Sequence, residues 1–208
     1  MVLEDPRPND TPWRDARWAP IDAVALQHGA VTIRAAVESD ATDLFSVLDH
    51  DGCWRHVVSR PATPQVLASV IKESTGSGRH MWVVERNGAI VGTTSFLDVS
   101  VNDARIEIGS TMYAPSEWGT DLNSTCKYLL MSYAFGELGM GRVQLKTDIR
   151  NARSRNAIER LGARFEGVLR RYQRRADGTV RDTVMYSVIA EDWPSVREGL
   201  IARIPRVE

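Results

Sequence analysis

Cysteine is almost missing from this 208-residue chain, which holds only Cys53 and Cys126. Neither stands in a Cys-x-x-Cys pair or beside clustered histidines, so no metal site is expected and a reducing, cytoplasmic setting fits. Long apolar runs are absent too. None approaches the roughly 20 residues a membrane-spanning helix needs. The opening residues, Met1 to Asp10, carry no apolar core of the kind a secretory signal has. Neither sign of charge is in excess: 26 Lys and Arg stand against 27 Asp and Glu, a net charge of −1. That balance advertises neither nucleic-acid nor membrane binding. What is present is ordinary for a globular protein, 43% hydrophobic and 25% charged. The length gives one sizeable domain with short extensions.

The pattern of residues divides the chain. Residues 1–30, rich in proline, read as an extended arm, residues 31–193 as the domain, and residues 194–208 as a helical tail. Val31–Ala35 reads as a first strand, and Ser39 or Asp40 can cap a helix to about Asp49. A second helix starts at Thr63 or Pro64 and stops at Gly76-Ser77-Gly78. Met81–Glu85 and Ala89–Phe96 flank Asn87-Gly88, a strong hairpin signal. A strand over Arg105–Tyr113 leads through a loop into a long helix, with Leu122, Cys126, Leu129, Leu130 and Tyr133 at helical spacing. Val143–Ile149 alternates as a strand, Asn151 opens a helix that Gly162 ends, and two strands flank Asp177-Gly178. The order predicts an α+β sandwich on one mixed, mainly antiparallel sheet of six to seven strands flanked by helices.

Two stretches could carry chemistry. The loop Pro115–Asp121 enters a helix N-terminus, where free N–H groups and the dipole favour a phosphate, and Gly119 permits close approach. Taken alone, a single glycine before a helix is more often a plain turn. The stretch Lys146–Ala163 is a strand followed by an Asn-capped helix, which accounts for Asn151 and Gly162 but not for the whole string.

Together these motifs resemble the GNAT acetyltransferase superfamily, and within it the RimJ/RimL-like branch. Gly119-Thr120-Asp121-Leu122-Asn123 followed by Lys127-Tyr128-Leu129-Leu130 is similar to one motif of that branch. Asn151-x-x-Ser154-x-x-Ala157-Ile158-x-x-Leu161-Gly162-Ala163 is similar to its asparagine–serine helix. Glu166–Arg170 and Asp177–Ser187 resemble its closing strands, and the likeness spans about Val31 to Trp193. It implies central strands that splay apart, with the pantetheine arm of acetyl-CoA between Arg105–Tyr113 and Gln144–Ile149. It also implies a pyrophosphate on the amides of Trp118, Gly119, Thr120, Asp121 and Leu122, next to Asn123, with Asn151 bonding the pantetheine arm. Where the superfamily pattern has Gln/Arg and Gly/Ala at its outer positions, this chain has Ser116 and Asp121. Asp121 is expected to turn away and cap the helix.

Amide formation needs a base for the amine, a donor for the thioester carbonyl and a proton for the leaving thiolate. Glu107, between Ile106 and Ile108, is the candidate base, with an outward-facing ion pair as the competing reading. Ser154 is the candidate acid, as the resemblance assigns it. The backbone at Ser110, Thr111 and Met112 is expected to polarise the carbonyl. Trp54, His56, Trp82 and Tyr186 are candidates for the amine side, with core packing the competing reading for the strand aromatics. Arg153 and Arg155 could meet the coenzyme's 3′-phosphate. The arginines of residues 142–181 read as a solvated face, and no RNA-binding motif accompanies them. The expected function is N-acetylation of a primary amine, a protein N-terminus or a small molecule, in a ternary complex with acetyl-CoA. An antibiotic or toxic amine is one alternative, and a non-catalytic acyl-CoA sensor is another. A homodimer is allowed.

Overall fold

Short runs of β-branched and aromatic residues set the architecture. In the computed structural model, which describes residues 12–19, 21–74, 77–175 and 177–206, they form eight strands. These are β1 (Ala25–His28), β2 (Val31–Ala35), β3 (His80–Arg86), β4 (Ala89–Ser100), β5 (Arg105–Tyr113), β6 (Arg142–Asp148), β7 (Arg164–Arg174) and β8 (Val180–Ile189). Their spatial order is β1-β2-β3-β4-β5-β6-β8-β7. Every neighbouring pair is antiparallel except β5 and β6, which run parallel. The sheet is mixed and mainly antiparallel, as the sequence predicts, but it has eight strands rather than six or seven. The additional one is β1, which falls in the stretch read as an arm and pairs with β2 from Ala25↔Arg34 to His28↔Val31. Asn87 and Gly88 have φ of 53° and 78°, the left-handed values that a two-residue hairpin turn demands.

Helices cover both faces. On one side lie α4 (Leu122–Ser132), α5 (Ala152–Arg160) and α6 (Trp193–Ile201). Their Leu122, Cys126, Leu130, Ile158 and Leu200 pack with Ile106, Ile108, Val143 and Val188 of the sheet in the main core. On the other side α1 (Ala41–Val47), α2 (Asp51–Trp54) and α3 (Pro64–Ser74) enclose a smaller core of Leu44, Leu48, Cys53, Leu67, Ile71 and Met81, against which Met112 packs. Gly76, part of the expected stop of α3, lies outside the described residues, and the helix closes at Ser74.

Two irregularities position the site. β5 and β6 share only Arg105↔Arg142, Ile106↔Val143 and Glu107↔Gln144, although β5 runs on to Tyr113 and β6 to Asp148. On their outer sides both stay paired, β5 to Gly92↔Tyr113 and β6 to Asp148↔Thr183. The parting is therefore a wedge inside the sheet, and the expected splay of the central strands is present. The second irregularity is a bulge. Thr93 pairs with Met112 and Ser95 with Gly109, so Ser110 and Thr111 together oppose Thr94, and Ser110 takes φ 49°. An extra residue re-aims the backbone that follows it.

Candidate active site

The wedge opens towards the loop that joins β5 to α4. Pro115–Glu117 makes one 3-10 turn. Gly119 follows with φ 84° and open space where a side chain would stand, a conformation that favours glycine. The hydroxyl of Thr120 accepts from the Leu122 N–H at 3.2 Å. The N–H groups of Gly119, Asp121 and Asn123 take no backbone partner among the described residues. Unpaired amides at the mouth of an 11-residue helix make an anion cradle. Asp121 occupies the N-cap position, but its side chain makes no capping bond. The expectation of a cap is corrected: Arg86 pairs with the Asp121 carboxylate at 3.1 Å and with Glu117 at 3.2 Å, because β3 brings a guanidinium to the loop.

At the narrow end of the wedge stands Glu107, 5% exposed. Ile106 and Ile108 turn into the main core, so Glu107 faces the other side of the sheet. Lys146 Nζ lies 2.5 Å from its carboxylate and 3.0 Å from Asp98, and Gln144 donates at 3.4 Å. Burial raises the Glu107 pKa, and the bond from Lys146 opposes that rise without cancelling it. One ammonium shared by two carboxylates leaves the trio with a net negative charge. A Cβ on Gly109 would stand 2.8 Å from Glu107 Oε1 and 2.9 Å from Leu97 Cδ1; that close approach is what the glycine serves.

Across the wedge, Asn151 Oδ1 accepts from the Ser154 N–H at 3.0 Å and caps α5. The cap therefore uses the side-chain oxygen, which leaves the Asn151 amide nitrogen for a ligand. Ser154 is half-buried, and its hydroxyl has no hydrogen-bond partner among the described residues. Arg153 stacks on Trp118, 3.9 Å from guanidinium carbon to ring centre, and reaches the Gly52 carbonyl at 3.3 Å. Trp118 is tied down by its Nε1–H bond to the Tyr113 carbonyl at 3.0 Å. The stack links the two walls of the wedge. Arg155 lies half-buried, with its Nε unpaired.

A cavity of about 220 Å3 opens beside the bulge, walled by Leu48, Trp54, Leu67, Met81, Ser110 and Met112 among others. Of the four aromatic candidates for the amine side, only Trp54 lines it, held by a 2.7 Å bond from Nε1 to the Leu48 carbonyl. His56 is half-buried outside the cavity lining, and burial lowers its pKa. Trp82 and Tyr186 are corrected to core residues, 0% and 1% exposed. Trp82 packs edge-on against Phe96 at 5.6 Å, and Tyr186 donates to Glu159 at 2.8 Å. Both point from their strands into the main core, on the face opposite the cavity.

Three features escaped the sequence reading. Lys127 is 4% exposed on α4 and donates to the bulge residue Thr111 at 3.0 Å, which also bonds Thr94 at 2.8 Å. Burial pushes the Lys127 pKa down to about 8. Arg175 grips Asp148 with bonds of 2.6 and 2.9 Å, fixing the β7–β8 hairpin to the end of β6. Arg79 enters the cavity from the residue before β3. Each pairing is long-range, so no local pattern announces it. Among the described residues no group of His, Cys, Asp and Glu could hold a metal, and no helix is long and apolar enough to cross a membrane.

The family model described as acetyltransferase (GNAT) domain matches residues 30–164. The chain is similar to the uncharacterized N-acetyltransferase YoaA of Bacillus subtilis (strain 168), 26% identical over 174 residues that cover 79% of this chain and 96% of YoaA. It is also similar to a solved protein of T. thermophilus described as an acetyltransferase, at 33% identity and TM-score 0.82, covering 91% of this chain and all of that one (100%). Mycobacterium smegmatis RimJ, solved with CoA-disulfide, shares the fold at TM-score 0.72 and 22% identity, over 86% of this chain and 92% of RimJ.

Proposed function

The chain belongs to the GNAT acetyltransferase family, whose acyl donor is acetyl-CoA, and on that premise we propose that it acetylates a primary amine by direct attack in a ternary complex. One observation carries the reading. The wedge between β5 and β6 lies between unpaired amides at the α4 mouth and a cavity beside the bulge. An extended pantetheine arm fits an unpaired strand edge, and a pyrophosphate fits the amides of Gly119, Asp121 and Asn123. Arg86 pairs with both Asp121 and Glu117 there, so one of the two carboxylate charges beside the amides is offset.

When bound, acetyl-CoA supplies the thioester and a thiolate leaving group. The bulged backbone at Ser110–Met112 polarises the acetyl carbonyl. Glu107 takes the proton from the incoming ammonium, directly or through water, since burial has already raised its affinity for one. As the C–N bond forms and the C–S bond breaks, the unpartnered Ser154 hydroxyl donates to the sulfur. The Asn151 amide nitrogen bonds the pantetheine arm, and Arg155 and the Arg153–Trp118 stack border its mouth. The resemblance of the motifs to the RimJ/RimL-like branch keeps a protein N-terminus among the acceptors, and the small cavity beside Trp54 suits a small amine. Two free cysteines accord with a cytoplasmic location. A thiol-release assay with acetyl-CoA against peptides and small amines tests the proposal. Binding of acetyl-CoA with no turnover of any amine would leave the sensor reading in its place.

A further inference from the structure

The cavity beside the bulge has apolar walls, yet one charge enters it. Arg79 lines it together with Leu48, Trp54, Leu67, Met81 and Met112. Its Nε donates to Ser95 Oγ at 3.0 Å, which fixes the guanidinium plane. Ser95 pairs with both Met81 and Gly109, so the anchor lies on the Met81 side of the sheet, next to the glycine that Glu107 overhangs. No carboxylate among the described residues pairs with Arg79, and burial lowers its pKa with no acid opposing it. A half-buried cation without a counter-ion pays part of the desolvation cost of a buried charge, and a bound anion relieves it. The Nη1 and Nη2 groups make no hydrogen bond among the described residues, and they form the planar fork that matches a carboxylate. The cavity, about 220 Å3, is below the roughly 300 Å3 at which drug-sized pockets begin.

We propose that this cavity takes the acceptor and that Arg79 selects amines bearing a carboxylate beside an apolar group, the chemistry of an apolar free amino acid. The inference rests on the reading of the chain as an amine acetyltransferase. Arg79 holds the carboxylate, the apolar walls take the side chain, and the amine faces Ser110 at the bulge. In a peptide N-terminus the carboxylate is replaced by an amide, which a guanidinium holds less strongly.

The test pairs leucine, methionine and phenylalanine with their amides in a thiol-release assay with acetyl-CoA, using the wild type and Arg79→Met. In the wild type kcat/KM should favour the acids, and R79M should reduce that preference by about ten- to a hundredfold, the size of a charge-assisted bond. The ratio is compared between proteins, so the differing basicity of acid and amide cancels. Calorimetry with 4-methylpentanoate against 4-methylpentanamide reads the same site without catalysis. Only the carboxylate should bind better to the wild type than to R79M. Turnover that ignores the carboxylate, or an equal loss for acid and amide in R79M, overturns the inference and leaves acetyl transfer standing. Carboxylate binding that depends on Arg79, with no amine acetylated, overturns acetyl transfer and leaves the site standing. Should R79M fail to fold, equal wild-type affinity for 4-methylpentanoate and 4-methylpentanamide still refutes the proposal.

Discussion

Replacing Lys127 by methionine should make the protein more stable at neutral pH. The ammonium is 4% exposed and has a hydroxyl, not a carboxylate, as its partner. Its pKa falls from 10.5 to about 8 on folding. At about 1.4 kcal/mol per pKa unit, keeping it charged in the folded state costs roughly 3 kcal/mol. The sign follows from linkage. Below pH 8 both folded and unfolded chains carry the proton and the full cost is present. Between pH 8 and 10.5 the unfolded chain alone binds it, so stability recovers as pH rises. Methionine has similar length and no charge. It forfeits the bond to Thr111, worth about 1 kcal/mol, while Thr94 still satisfies that hydroxyl. The net gain at pH 7 is about 2 kcal/mol, a Tm rise of roughly 4–8 °C for a chain of this size. Thermal unfolding of wild type and K127M from pH 6 to 10 measures it. The gap should be widest below pH 8 and shrink towards pH 10. A variant less stable than the wild type at pH 7, or a gap independent of pH, would show that the buried ammonium carries no such cost.

Further predictions concern the site and its supports. Glu107→Gln should lower kcat by about 10²–10⁴, the range of general-base catalysis, and abolish the fall of kcat/KM at acid pH, since protonation of a base removes it. An unchanged rate and acid limb would exclude Glu107 from that role. Ser154→Ala should slow turnover and leave acetyl-CoA affinity nearly intact; a large affinity loss would mark Ser154 as a ligand contact instead. The Asp148 pKa is held below its ordinary value, with Arg175 and the Arg150 N–H outweighing burial. It therefore contributes stability above its unfolded pKa that is lost as pH falls through the folded one. Asp148→Asn should flatten that part of the acid unfolding curve, and an unaltered curve would show the pair to be inert.

Most of the fold was legible because its elements are locally marked. Asn87-Gly88 set the β3–β4 hairpin, Asn151 and Gly162 bracketed α5, and the spacing of Leu122, Cys126 and Leu130 traced α4. The strand β1 was not legible: Ala25-Leu26-Gln27-His28 is too short to show alternation, and only pairing with β2 makes it a strand. The bulge also left no signature, since Ile106 to Tyr113 reads as an unbroken strand and the register shift arises against β4. Site residues whose role depends on partners far along the chain were misread or missed. Asp121 looked like a cap because Arg86 is 35 residues away. Trp82 and Tyr186 were plausible walls because residue type does not tell which face of a buried sheet holds the cavity. Arg79 gave no signal at all, as its meaning comes from the cavity it enters.

Acetyl transfer at this site requires that the wedge and the α4 mouth receive a nucleotide-thiol. Isothermal titration of the purified protein with acetyl-CoA asks this directly, set beside Gly119→Val, which forces a β-branched residue into a left-handed position among the proposed phosphate amides. One-to-one binding that the substitution weakens at least tenfold is the expected result. The absence of binding heat at any temperature, or equal affinity in the two proteins, would contradict it.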